Sequence, residues 1–152
     1  MALETVLLAL GPGDAERVDR LAEETIDIAG PSEATVLLGH VFTEAEYERA
    51  IDSLGFDVTA GEVSPNEVAH RHATVRELGD RLDEAGVEFA IGGAVGDHGD
   101  SIVGLAEESG ADLVIVGGRR RSPAGKAVFG STAQKVMLSA PCPVTFVRAD
   151  TS

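Results

Sequence analysis

The sequence predicts an α/β fold, a three-layer α/β/α sandwich on a five-stranded, doubly wound parallel sheet. Two observations carry that prediction. Apolar runs of strand length alternate with stretches at helical spacing along the chain, the order that builds a parallel sheet with helices on both faces. The runs themselves, such as Leu113 to Val116, are continuously apolar, as strands covered on both sides require. At 152 residues a single domain over 1-152 is expected, burying roughly two-thirds of its unfolded surface.

Each element has a local reason. Thr5 to Leu10 is an apolar run ended by Gly11-Pro12-Gly13, a buried strand stopped by turn residues. Val18, Leu21, Ala22, Thr25, Ile26 and Ala29 then recur at helical spacing, and Gly30-Pro31 stops that helix. Ala34 to Phe42 is the second strand. Thr43 to Val63 is acidic and weakly patterned, and a partly helical surface segment is expected there. Ser64-Pro65-Asn66-Glu67 has the form of a capping box with proline in the first turn. It opens one helix through Val68, Val75, Leu78 and Leu82 to Ala85, closed by Gly86. Val87 to Val95 is the third strand, with Gly92-Gly93 suggesting a bulge or loose end. After Gly96-Asp97-His98-Gly99 a helix carries Ile102, Leu105 and Ala106 to Gly110. Asp112 to Gly117 is the fourth strand, Ser131 to Ser139 a helix and Val144 to Arg148 the fifth strand. Five strands and four helices result.

Composition excludes several classes. Asp and Glu number 26 against 12 basic residues, for a net charge of −14. That balance opposes nucleic acid and anionic membranes as partners. Only Lys126 and Lys135 are lysines, and scarce lysine with excess carboxylate points to a salt-rich, halophilic interior in which salt screens the repulsion. No apolar run approaches the ~20 residues of a membrane span. Met1-Ala2-Leu3-Glu4 leads straight into a strand without a basic or apolar leader pattern, so a cytoplasmic location is expected. The one cysteine, Cys142 between Pro141 and Pro143, reads as a packing residue, and no Cys/His spacing suggests a metal site.

The densest functional signal lies after the fourth strand. Gly117-Gly118-Arg119-Arg120-Arg121 leads through a loop holding Lys126 to Gly130-Ser131-Thr132, where the next helix begins. A glycine turn, free N–H groups at a helix start and a basic cluster together attract phosphate. Histidines carry less. His70 and His72 face apart on a helix, His40 at a strand end reads as a hydrogen-bonded structural residue, and His98 in a turn reads as exposed.

The order of motifs resembles the universal stress protein family across essentially the whole chain. The resemblance rests on His40-Val41 at the end of the second strand, Gly96-Asp97 before the helix of Ile102, Ala111 to Gly117, and Pro143-Val144. It also rests on a frame of glycine, two residues, glycine, nine residues, glycine and serine, on which Gly117, Gly130 and Ser131 fall. The resemblance, with the acidic balance, points to a halophilic archaeal member and to the adenine-nucleotide alpha hydrolase-like form of the fold. It implies a stress-response module binding ATP or AMP, with Mg in company with ATP. The residues it assigns to the nucleotide are Ala9, Leu10, Gly11, Val41, Val116, Gly117, Arg120, Gly130, Ser131 and Thr132. Val41 and Val116 would flank adenine, in a pocket between the ends of the first and fourth strands. Two positions depart from the family: Arg120 stands at the second motif glycine, where its guanidinium offers a bidentate donor to phosphate, and Gly11 stands at the first-strand aspartate. The resemblance also implies a homodimer through the closing strand 143-148.

Other classes fit less well. A flavodoxin needs a Ser/Thr-rich loop after the first strand and aromatics around its flavin. Gly11-Pro12-Gly13-Asp14 supplies no such loop, and only six aromatic residues exist, none of them tryptophan. Gly11 and Gly92-Gly93 stand where a phosphoacceptor receiver needs carboxylates. Lys126 follows Gly125 without the spacing of a phosphate-binding ATPase loop, and Asp97 is the one well-placed carboxylate, so hydrolysis is expected to be slow at most, with no catalytic residue assigned. The alternative function is a stress-family scaffold that has lost nucleotide binding and acts through homodimer or partner contacts.

Overall fold

The structure, a computed structural model, describes residues 3–56, 63–119 and 130–149. Its five strands are β1 (Thr5–Leu10), β2 (Thr35–Phe42), β3 (Phe89–Val95), β4 (Leu113–Arg119) and β5 (Val144–Ala149). They form one parallel sheet in the order β3-β2-β1-β4-β5. The chain winds outward from β1 to β3, returns, and winds the other way through β4 to β5. The order therefore reverses between β1 and β4, the point where such sheets open a crevice at the strands' carboxyl ends.

Alternation along β1 divides the core. Val6, Leu8 and Leu10 face one layer with Val36 and Leu38 of β2. That layer receives Leu21 and Ala22 from α1 (Val18–Ala29) and Leu78 and Leu82 from α4 (Ala73–Glu84). Leu7 and Ala9 face the opposite layer, which receives Ile102 and Ala106 from α5 (His98–Ser109) and Val136 from α6 (Ser131–Ser139). A satellite cluster of Phe42, Ile51 and Val68 joins β2 to α2 (Glu44–Leu54) and α3 (Pro65–Arg71). Burial of both faces explains why β1 and most of β2 are continuously apolar rather than alternating.

Six α-helices stand among the described residues, not four. Residues 44–54 form a complete helix because Thr43 and Glu46 make a reciprocal capping box and Gly55 closes it with φ +74°. The single helix expected from Ser64 to Ala85 is two. His72 adopts φ −68° and ψ 132°, which breaks the helix. On either side of the break α3 packs chiefly on β3, and α4 packs on α1, β2 and β3. Gly92-Gly93 makes no bulge, since the ladder continues through both residues. Glycine is needed at 93 because a Cβ there would collide with the Pro65 carbonyl. Asn66 Oδ1 accepts from the Gly93 N–H at 2.8 Å, so the start of α3 is pinned to the sheet. Among the described residues no helix is long and apolar enough to cross a membrane.

Candidate functional site

A cavity of about 630 Å³ opens at the carboxyl ends of β1 and β4. Ala9, Leu10 and Gly11 line it from β1, Val41 from β2, and Val116, Gly117 and Gly118 from β4. Ile102 of α5 and Phe146 of β5 add apolar surface, and Gly130, Thr132 and Ala133 close the side where α6 begins. Eight of the ten residues assigned from the sequence thus meet in one cavity. Ser131 does not line it: this first residue of α6 is exposed, since successive side chains on a helix point in different directions. Arg120 lies outside the described residues, as do Arg121 and Lys126.

The N-cap of α6 is Gly130, in an extended conformation, which has no side chain to accept from the first N–H groups. These donors stand at the positive end of the helix dipole.

Sequence reasoning missed the polar residues of the cavity, Asp14, Arg17, Glu46 and His98. A short 3₁₀ turn, Pro12–Glu16, follows β1 and carries Asp14 inward until only 8% of its surface is exposed. Asp14 Oδ2 accepts from the Gly11 N–H at 2.7 Å. Arg17 Nη1 donates to the Gly13 carbonyl at 2.7 Å and stands 3.4 Å from Asp14 Oδ1. Burial pushes the Asp14 carboxyl above the usual aspartate range, against the pull of the Gly11 N–H and the Arg17 charge. A carboxyl therefore occupies the end of β1 although residue 11 is glycine. The signal for it was the spacing of Gly11 and Asp14, an acceptor three residues beyond a turn's first N–H.

His98 is half-buried rather than exposed, because its Nε2 meets Glu46 Oε1 at 2.6 Å. The same oxygen accepts from the Thr43 N–H at 2.8 Å. Burial pushes the Glu46 carboxyl up, but Thr43 and His98 together hold it below the usual glutamate range. Asp97, the carboxylate singled out from sequence, does not line the cavity. It caps α5 by accepting from the Asp100 N–H at 3.0 Å, and Lys135 reaches it at 3.2 Å from α6. That capping bond, then Lys135, lowers its carboxyl.

His40 is buried at 1% exposure, but neither ring nitrogen has a hydrogen-bond partner among the described residues. It is held by stacking, with ring centroids 4.4 Å from Phe42 and 4.2 Å from His72. Burial, then the neighbouring His72, lowers its pKa to about 3, so the ring is neutral. Cys142 packs, half-buried, against the layer under α5 and α6, and burial raises its thiol. No group of three or more His, Cys, Asp or Glu residues that could hold a metal occurs among the described residues.

A doubly wound parallel sheet with a cavity at its switch point, beside which α6 begins behind a glycine cap, places the chain in the α/β class. Residues 3–148 match the Universal stress protein family, and the chain belongs to it. A universal stress protein of Mycolicibacterium smegmatis is 32% identical over 110 residues, spanning 72% of this chain and 84% of that one. The crystal structure of a universal stress protein in complex with cAMP shares 25% identity at TM-score 0.65, covering 99% of this chain and 100% of its own. An Arabidopsis thaliana family member with AMP bound superposes at TM-score 0.63 with 16% identity, over 97% and 93% of the two chains. The latter likeness is one of fold.

Proposed function

We propose that this universal stress protein is a cytoplasmic, nucleotide-responsive module that binds an adenine nucleotide, ATP or AMP, in the cavity between β1 and β4. The observation that carries the reading is the start of α6, with glycine at its cap, on a 630 Å³ cavity at the switch point. N–H groups at a helix start beside two glycines receive phosphate, while Val41 and Val116 offer apolar faces to a base. The cAMP complex of a relative supports an adenine ligand. Magnesium enters only as the counter-ion of a triphosphate, because Asp14 already has Gly11 on one carboxyl oxygen and Arg17 near the other.

Calorimetry with ATP, ADP, AMP and cAMP tests the reading, with Gly130→Val as the control. A Cβ at position 130 would meet no described atom within 4 Å, so valine obstructs phosphate rather than the fold. Binding by the native protein and none by the variant is expected. Absence of heat at millimolar nucleotide would leave a second reading ahead, a homodimeric scaffold acting through contacts alone. The open edge of β5 and Leu138 of α6, 80% exposed, favour association in either case.

A further inference from the structure

The cavity has two poles. On the side of β4 and β5 it presents the start of α6, with glycine at its cap. On the side of β2 it presents Glu46 and His98. β1 separates β2 from β4 in the sheet, and α2, which carries Glu46, follows β2, whereas α6 follows β4. A nucleotide with phosphate on α6 and its base against Val41, as proposed above, brings that base to the part of the cavity that follows β2, where Glu46 stands.

Glu46 is built to receive a donor. Both of its hydrogen bonds, from the Thr43 N–H at 2.8 Å and from His98 Nε2 at 2.6 Å, fall on Oε1. Its other oxygen has no partner among the described residues. Because an ionised carboxylate only accepts, His98 Nε2 must carry the proton it shares. The two bonds fix the orientation of the carboxylate, and the remaining acceptor is left for whatever fills the cavity.

We propose that Glu46, positioned by His98 and Thr43, selects the ligand by accepting a hydrogen bond from the exocyclic amino group of its base, a 6-aminopurine. This inference rests on the nucleotide-binding reading above and names the part of the ligand that the β2 pole recognises. A base without that amino group leaves a partly buried carboxylate oxygen unpaired, and such sites reject analogues lacking the donor.

The test compares AMP with purine riboside 5′-monophosphate, which lacks only the amino group. The native protein is expected to bind the analogue about tenfold more weakly, the scale of one hydrogen bond to a charged acceptor. Glu46→Gln keeps the capping box of α2, because glutamine serves at that position. Its amide oxygen retains the bonds from Thr43 and His98, and its NH2 group replaces the free acceptor with a donor. The variant should hold the analogue as tightly as the native protein does and lose, or invert, the preference for AMP. Equal affinity for the two ligands in the native protein, or an unchanged preference in Glu46→Gln, overturns the proposal alone. Binding of neither ligand at millimolar concentration overturns the nucleotide reading and the proposal together.

Discussion

Asp14 and Gly117 are complementary: a Cβ on residue 117 would stand 3.1 Å from Asp14 Oδ1, and 3.1 Å from Leu21 Cδ2. The buried carboxyl of the turn after β1 thus occupies the space that glycine leaves at the end of β4. This contact joins the two strands on either side of the switch point and shapes the cavity floor. Gly117→Ala is expected to destabilise the fold by about 1–3 kcal/mol, the ordinary cost of overpacking. Asp14→Ala removes the obstructing oxygen, so the double variant should lose less than the sum of the single losses, by at least about 0.5 kcal/mol. Urea titrations of the four proteins measure this. Strict additivity would mean that the two residues do not share the space.

His40 makes stability depend on acid. An unfolded chain protonates this residue near pH 6.5, whereas the folded ring stays neutral down to about 3. Below 6.5 the unfolded state therefore binds the extra proton, and stability falls as the pH drops toward 3, by at most about 1.4 kcal/mol per pH unit. His72, stacked on it and also lowered by burial, adds a loss of the same sign. Asp14, raised by burial, partly offsets both, because its folded form takes up a proton more readily. Glu46, held low, loses its contribution only below its ordinary value of 4.5. Between pH 6.5 and 5 Glu46 therefore contributes no loss, and any proton uptake by Asp14 opposes that of the imidazoles. His40→Phe preserves a ring beside Phe42 and His72, and its melting temperature should fall less over that interval than that of the native protein. Parallel curves would assign the acid sensitivity elsewhere.

The elements of the sheet were legible because their strands hold apolar runs, such as Val6 to Leu10 and Leu113 to Val116, and several end beside glycine or proline, as at Gly11-Pro12 and Gly96. The break at His72 was not. Val68, Val75, Leu78 and Leu82 keep helical spacing across it, and the rings that pack on His72, those of His40 and Phe42, are distant in sequence. The same distinction separates the two halves of the site. Its backbone half, Gly117 and Gly130, announces itself through residues with special backbone freedom. Its side-chain half does not: Glu46 and His98 lie 52 positions apart, and nothing local to either indicates the other. Asp14 was hidden by a turn that carries the carboxyl back to the Gly11 N–H.

The edge of β5 offers a cleaner test of pairing than its side chains do. Phe146 lies against Gly118, where a Cβ would be 2.7 Å from its ring, and it also lines the cavity. Phe146→Asp would therefore disturb the ligand site together with any interface. The Val114 N–H donates to the Pro143 carbonyl, so in a parallel ladder residues 144, 146 and 148 direct their own N–H groups away from β4. Arg148 is exposed. Arg148→Pro removes one outward donor and leaves the ladder to β4 intact. If β5 pairs with a second copy, this variant should be monomeric by light scattering with nearly unchanged nucleotide affinity. A dimeric mass for Arg148→Pro would assign the pairing to another surface.

Folding should also depend on salt. Carboxylates outnumber basic residues 26 to 12, so local ion pairs cannot neutralise the surface even if every basic residue is used. Those present, such as Arg20 with Glu24 and Lys135 with Asp100, are solvent-exposed pairs that contribute little. Repulsion among the remaining carboxylates acts over ~30 Å at 0.01 M salt and ~3 Å at 1 M. It is set against a net stability of only about 5–15 kcal/mol. Dialysis from molar potassium chloride into dilute buffer should therefore lower the melting temperature by about 10 °C, equivalent to roughly 3 kcal/mol for a chain of this size. Screening saturates as the Debye length falls below the spacing between charges, so most of the gain should come below 1 M. Melting curves across a potassium chloride series measure the effect, and an equal-osmolality sucrose series separates screening from general exclusion of solute. A melting temperature that stays flat across the salt series, or that rises equally in sucrose, would sink the electrostatic account.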